Sequence, residues 1–166
     1  MDKVTSTAPL TFNGPLEAGL RAVALLGAAF PREYDLQRLT AFDYLLLNTS
    51  EFGGPNNLHP SSPIHAPATQ VRRAVVQEGI ELMMTRDLIS RSADKNGIFF
   101  RAGESAAMFL DSLQSPYLSR VKSYASWLVE HLGHQDDKAF EAVMRNSFDT
   151  WLMEFQQASE NTGSVA

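Results

Sequence analysis

The sequence predicts a mainly α fold: a winged-helix-like domain of three helices and a β-hairpin, followed by C-terminal helices. Three observations carry this. Apolar residues recur at helical spacing in three successive segments, an Asn-Gly pair then separates two short extended runs, and helical spacing resumes beyond them.

Asn13 is placed to cap a first helix in which Leu16, Leu20, Val23, Leu26 and Phe30 form a core-facing stripe, and Pro31 stops it. Asp35 caps a second, with Leu36, Leu39, Phe42 and Leu46 at the same period. Over 49–67 the period vanishes and Gly53, Gly54, Pro55, Pro60, Pro63 and Pro67 accumulate, which predicts a long ordered loop, a feature often functional. A third helix covers 69–87, with Val71, Val75, Val76, Ile80, Leu82, Met83 and Met84 as its apolar stripe and Gly79 weakening its middle.

The hairpin follows: Leu88–Arg91 and Ile98–Arg101 flank Asp94-Lys95-Asn96-Gly97, where Asn-Gly is a turn signal. Three helices and then a hairpin is the order of a winged helix. Ala106, Phe109, Leu110 and Leu113 predict a short helix ending at Ser115-Pro116. Leu118, Val121, Ala125, Leu128 and Leu132 predict another, with Gly133 where a left-handed cap would sit. A last helix over 136–158 carries Phe140, Val143, Met144, Phe148, Trp151, Leu152 and Phe155. Its large apolar stripe suits either the chain's own core or a partner's groove. The domain reading is 13–115 for the winged-helix-like unit, 116–158 for C-terminal helices packing on it or on a partner, and 159–166 for a polar tail.

With 44% hydrophobic residues in 166, the chain can bury a core without staples. Cysteine is absent, which removes disulfides, thiolate nucleophiles and thiolate metal sites. Met1–Phe12 lacks the apolar run of a secretion signal, and the best apolar run, Ala22–Phe30, is too short to span a bilayer, so a cytoplasmic location is expected. A net charge of -5 excludes a surface that wraps nucleic acid throughout. Yet between Arg72 and Arg101 six basic residues face four acidic ones. In a winged helix the third helix and the wing reach DNA, so Arg72, Arg73, Arg91, Lys95 and Arg101 are the candidate DNA contacts. Many winged helices bind protein only.

Catalytic candidates fail on context. Gly103-Glu104-Ser105-Ala106-Ala107 resembles the turn that exposes a nucleophilic serine, but that turn needs a parallel sheet with His and acid partners, and Glu104 and Ser105 suit a helix start. His131 and His134 have a metal-capable spacing that Gly133 interrupts; His59 and His65 lie in the loop. Asp136-Asp137 has no acid/base geometry, and no Gly-rich phosphate cradle occurs. No enzyme activity, cofactor or metal is therefore expected.

The strings Phe30-Pro31-Arg32-Glu33-Tyr34-Asp35-Leu36-Gln37-Arg38-Leu39, Phe42-Asp43 and Gly53-Gly54-Pro55-Asn56-Asn57-Leu58-His59-Pro60 continue into Val71-Arg72-Arg73, Glu78-Gly79 and Leu113-Gln114-Ser115-Pro116-Tyr117. Over residues 13 to 132 this pattern resembles the small middle component of bacterial three-component ABC (ABC-3C) systems, the group that includes Lamassu-type anti-phage defence. The resemblance implies an accessory subunit that bridges an SMC-like or Rad50-like ATPase and an effector nuclease, with double-stranded DNA reached through the complex. Partner docking would then fall on Arg32, Arg38, Asp43, Gly53, Gly54, Pro55 and His59, and on Phe140, Met144, Trp151 and Phe155 of the last helix. The alternative is a free-standing winged-helix DNA-binding transcriptional regulator.

Overall fold

The computed structural model describes residues 14–58 and 68–147. Asn13, His59, His65, Trp151 and Phe155 lie outside them, as does the last part of the helix expected over 136–158.

Helix α1, Pro15–Ala29, opens with Pro15 in its first turn after an extended Gly14, so the missing proline N–H falls where no helical partner exists. It is the central element, touching α2 (Leu36–Leu47), α3 (Ala68–Met84), α4 (Ala106–Ser112), α5 (Pro116–Leu132) and a hairpin strand. Residues Arg21 to Leu26 are buried on every side, so the predicted one-sided stripe understates this helix. The stripe's two ends behave oppositely: Leu16 and Phe30, expected to face the core, stand 52% and 64% exposed. Helix α2 starts as expected, with the Asp35 carboxylate accepting from the Arg38 N–H at 2.7 Å. From Arg38 onward it too is buried all round.

Two glycines decide how closely α1 and α3 cross. A Cβ on Gly79 would lie 2.6 Å from both the Gly19 nitrogen and the Pro15 carbonyl oxygen, and one on Gly19 would lie 2.7 Å from the Gly79 oxygen. Gly79, which lowers helix propensity, is what lets the helices meet backbone to backbone.

Strands β1 (Ile89–Asp94) and β2 (Gly97–Ala102) pair antiparallel, Ile89 opposite Ala102. The turn is centred on Lys95 and Asn96, one residue earlier than an Asn-Gly turn: the Asp94 carboxylate accepts from the Asn96 N–H at 2.7 Å, and Gly97 takes a φ of 133°. Tyr34, between α1 and α2, adds a third edge by exchanging backbone hydrogen bonds with Phe100 at 2.9 and 2.8 Å. The fold is thus mainly helical and winged-helix-like.

The proline-rich loop is fastened as far as it is described. A short 3-10 helix, Thr49–Phe52, ends at Gly53 with φ 76°, the fully buried Thr49 hydroxyl donates to the Pro55 carbonyl at 2.8 Å, and Tyr124 of α5 donates to that of Asn56 at 2.6 Å. Ser115 caps α5 through the Leu118 N–H, Pro116 following as its first residue. Helix α6, Asp137–Ser147, sends Phe140 and Met144 into the same core as α1, α2 and α5. As far as they are described, α5 and α6 pack against the N-terminal helices.

Candidate functional site

The family-like strings 30–39 and 42–43 begin at the surface and end in a buried ion triad. Asp43 of α2 is 3% exposed and holds Arg21 of α1 through Nε at 2.6 Å and Nη2 at 3.3 Å, and Arg72 of α3 through Nη1 at 2.7 Å. Burial alone would push the Asp43 carboxyl up; the two guanidinium groups outweigh it and hold it below the usual carboxylate range. Burial likewise disfavours the charged Arg21, and Asp43 reverses the balance, raising it. The triad ties three helices together. Asp43 is therefore no surface docking group: its side chain is enclosed by its own cations.

Arg38 is also withdrawn from the surface, 8% exposed, with its guanidinium 4.1 Å over the Phe140 ring and both Nη atoms on the Gln135 carbonyl at 3.1 and 3.2 Å. It also meets the exposed Asp137 at 2.8 Å. Arg32 Nη1 and the Tyr34 hydroxyl both donate to the Gly133 carbonyl, at 2.8 and 3.0 Å. Gly133 is not left-handed as the cap prediction required; its φ is -71°. A glycine is needed there because a Cβ would come within 2.5 Å of the Val129 oxygen and 2.6 Å of the Tyr34 hydroxyl. Together Arg32, Tyr34 and Arg38 clamp the α5–α6 turn. Phe140 and Met144, expected either in the core or in a partner's groove, are buried here at 7% and 1%, with Phe140 edge-on to Phe42 at 5.3 Å.

The remaining predicted docking residues divide. Gly53 is exposed, while Gly54 and Pro55 are half-buried; the Trp127 ring lies against Gly54, where a Cβ would stand 2.6 Å from it. His131 stacks on Trp127 at 4.4 Å and meets its carbonyl through Nδ1 at 2.7 Å. Among the described residues no group of three or more His, Asp or Glu side chains could hold a metal. Ser105 precedes α4 without capping it; its hydroxyl lies 3.3 Å from the Asp87 carboxylate.

Of the five candidate DNA contacts, Arg72 is bound to Asp43 and only 20% exposed in its side chain, while Arg73, Arg91, Lys95 and Arg101 are exposed. They do not form one face. Arg91 pairs with Phe100 and Arg101 with Ser90, adjacent cross-strand pairs that project from opposite faces of the hairpin.

A family model described as ABC-three component (ABC-3C) system Middle Component 2 matches residues 11–154. The chain belongs to that family. This ABC-3C middle component is thus an accessory subunit of a multi-component system, and membership implies partner subunits. No curated protein and no solved structure matches it. Among the described residues of the middle component, no helix is long and apolar enough to cross a membrane. The strings 30–39, 42–43 and 71–73 supply Arg32, Tyr34 and Arg38 of the clamp and Asp43 and Arg72 of the triad, so these signature residues tie the subunit's helices together. Sequence reasoning missed Arg21, Tyr34 and the Gly19–Gly79 crossing; the one available signal was a charged residue, Arg21, directly before the apolar run 22–30.

Proposed function

We propose that the chain is a non-catalytic adaptor of a Lamassu-like anti-phage defence complex, bridging an SMC-like or Rad50-like ATPase and an effector nuclease. The partners would carry the chemistry. Beyond family membership, the observation that supports a protein-binding adaptor over a free-standing DNA-binding transcriptional regulator is the outer face of α3. A winged helix that reads DNA offers cations and polar groups from this helix to the major groove. Here the exposed positions are Val71, Arg73, Ala74, Gln77, Glu78, Glu81 and Leu82, with Arg72 turned inward to Asp43 and Val71 and Leu82 turned out of the core their spacing predicted. Two carboxylates against one guanidinium repel phosphate.

Exposed Arg91 and Lys95 on the wing favour a second, narrower role, a local phosphate contact made once the subunit is held in a complex; Arg101 sits among Asp87, Glu104 and Asp111 instead. The test is co-expression with the proteins encoded by adjacent genes, purification on a tag carried by this chain, and size-exclusion chromatography. A stable multi-subunit peak is expected; elution of the chain alone would sink the adaptor reading. Duplex binding measured by anisotropy at low salt separates the two DNA roles. The isolated chain should bind weakly, and tight salt-sensitive binding by the chain alone would favour the regulator.

A further inference from the structure

Phe30 closes α1 and stands 64% exposed, between two surface depressions. The larger, about 690 Å³, is walled by Gly27, Ala107 and Leu110 beside Phe30, and its rim carries the acids Asp87, Glu104 and Asp111 against one base, Arg101. The second, about 500 Å³, continues from Phe30 and Pro31 across Ala28 to Val129, with Glu130, Arg32 and His134 at its edge, so the acidic excess belongs to the larger depression. Met108, the neighbour of Ala107 on α4, is 81% exposed. A large exposed aromatic beside contiguous apolar surface with a charged rim is the pattern of an interaction site rather than of scattered surface residues.

The floor of the larger depression is where α4 meets α1: the Leu110 side chain lies over Gly27, its Cδ1 2.5 Å from where a Cβ would stand. At the acidic rim, Asp87 has a φ of 60°, sparsely used by residues other than glycine. It is held there by the Ser105 N–H on its carbonyl at 3.2 Å and by Gly103, whose N–H donates to the Leu88 carbonyl at 2.9 Å. A Cβ on Gly103 would come within 2.3 Å of the Asp87 oxygen. The corner that presents Asp87 and Glu104 is thus fixed before anything binds.

The geometry points to a docking groove for a basic, apolar-anchored segment of a partner subunit. One bulky apolar side chain enters beside Phe30 and Leu110, and flanking Lys or Arg residues meet Asp87, Glu104 and Asp111. The commitment to a basic protein segment follows from charge: three carboxylates to one guanidinium repel nucleic acid and the acidic stretches of other chains. The inference rests on the adaptor reading for the existence of a partner and adds the face and the chemistry of what it receives.

The test uses the intact complex with the proteins encoded beside this chain. Phe30→Ala should weaken assembly about 30-fold, about 2 kcal/mol, and Glu104→Lys with Asp111→Lys about 10-fold with a shallower salt dependence. All three sites are exposed, so each variant should keep the parent's Tm, which removes misfolding as a cause. A photo-crosslinker at position 30 should capture a partner peptide in which Lys or Arg flanks a bulky apolar residue. If the parent chain assembles and these variants assemble equally well, the groove is wrong and the adaptor reading stands. If the parent chain assembles with nothing, both fall. Crosslinks to a second copy, or to residues 148–166 of the same chain, overturn the assignment of the occupant.

Discussion

Removing the Asp43 carboxylate should cost more than any other single polar change in the described structure. Arg21 is 3% exposed and donates two hydrogen bonds to Asp43, so in Asp43→Ala its guanidinium stays buried without its counter-ion. Arg72, with a side chain 20% exposed, can turn to water instead. Stranding one buried charge costs about 3–5 kcal/mol, which at about 3 °C per kcal/mol for a chain of this size lowers Tm by about 9–15 °C. Circular dichroism melting and guanidinium titration of the isolated chain measure both quantities. Arg21→Met with Asp43→Leu should restore more than half of the loss, because a buried pair replaced by apolar groups of similar volume is close to neutral. The same carboxylate sets an acid limb. Its folded pKa lies below the unfolded value of about 3.8, so the unfolded chain takes up the proton first as pH falls. The triad's contribution is complete above that value and is lost as pH drops through the folded one. Asp43→Asn should flatten stability against pH below about 3.8. A fall in Tm under about 3 °C for Asp43→Ala, or a double variant no more stable than the single, would refute the reasoning.

Arg72→Ala should lower stability by about 1.5–3 kcal/mol, through the charged hydrogen bond it loses, while Arg73→Ala, on the exposed side of the same turn, should stay within about 0.5 kcal/mol; parallel melts distinguish them. Gly79→Ala should destabilise by about 1–3 kcal/mol, because its methyl meets the α1 backbone, whereas the same change in an exposed helix would gain about 1 kcal/mol; the sign of the Tm shift decides. Phe140→Ala should cost about 3–5 kcal/mol and loosen α6, read as faster tryptic cleavage at Lys138.

Period and punctuation made much of the fold legible before any coordinates. The Asp35 and Ser115-Pro116 starts, the helical runs and the hairpin near Asn96-Gly97 all follow from local chemistry, and the structure places them within a few residues. Where contacts are not local, the sequence is silent. Arg72 and Arg73 are adjacent and identical, yet about 100° apart around α3, so only the position of Asp43 settles which one is internal. Tyr34 pairs as a single residue and leaves no alternation to read. The expected docking set was hardest to place, because Arg38 and Asp43 of the family strings, and Phe140 and Met144 of the last helix, are all buried. Phe30 shows the converse: helical spacing assigned it inward, and only the end of α1 at Ala29 turns it out.

The clamp on the α5–α6 turn has a consequence for how the subunit is made. Arg32 and Tyr34 find their shared acceptor, the Gly133 carbonyl, 101 and 99 residues downstream. At about 5–20 residues per second, a ribosome needs about 5–20 s to deliver that acceptor after the donors have emerged. Throughout that interval the N-terminal helices hold cations meant for a turn not yet synthesised. A fragment cut at the apparent winged-helix boundary near residue 115 would stay in that condition permanently. A segment made about a hundred residues later thus completes an earlier one, and the clamp cannot close until residue 133 has emerged.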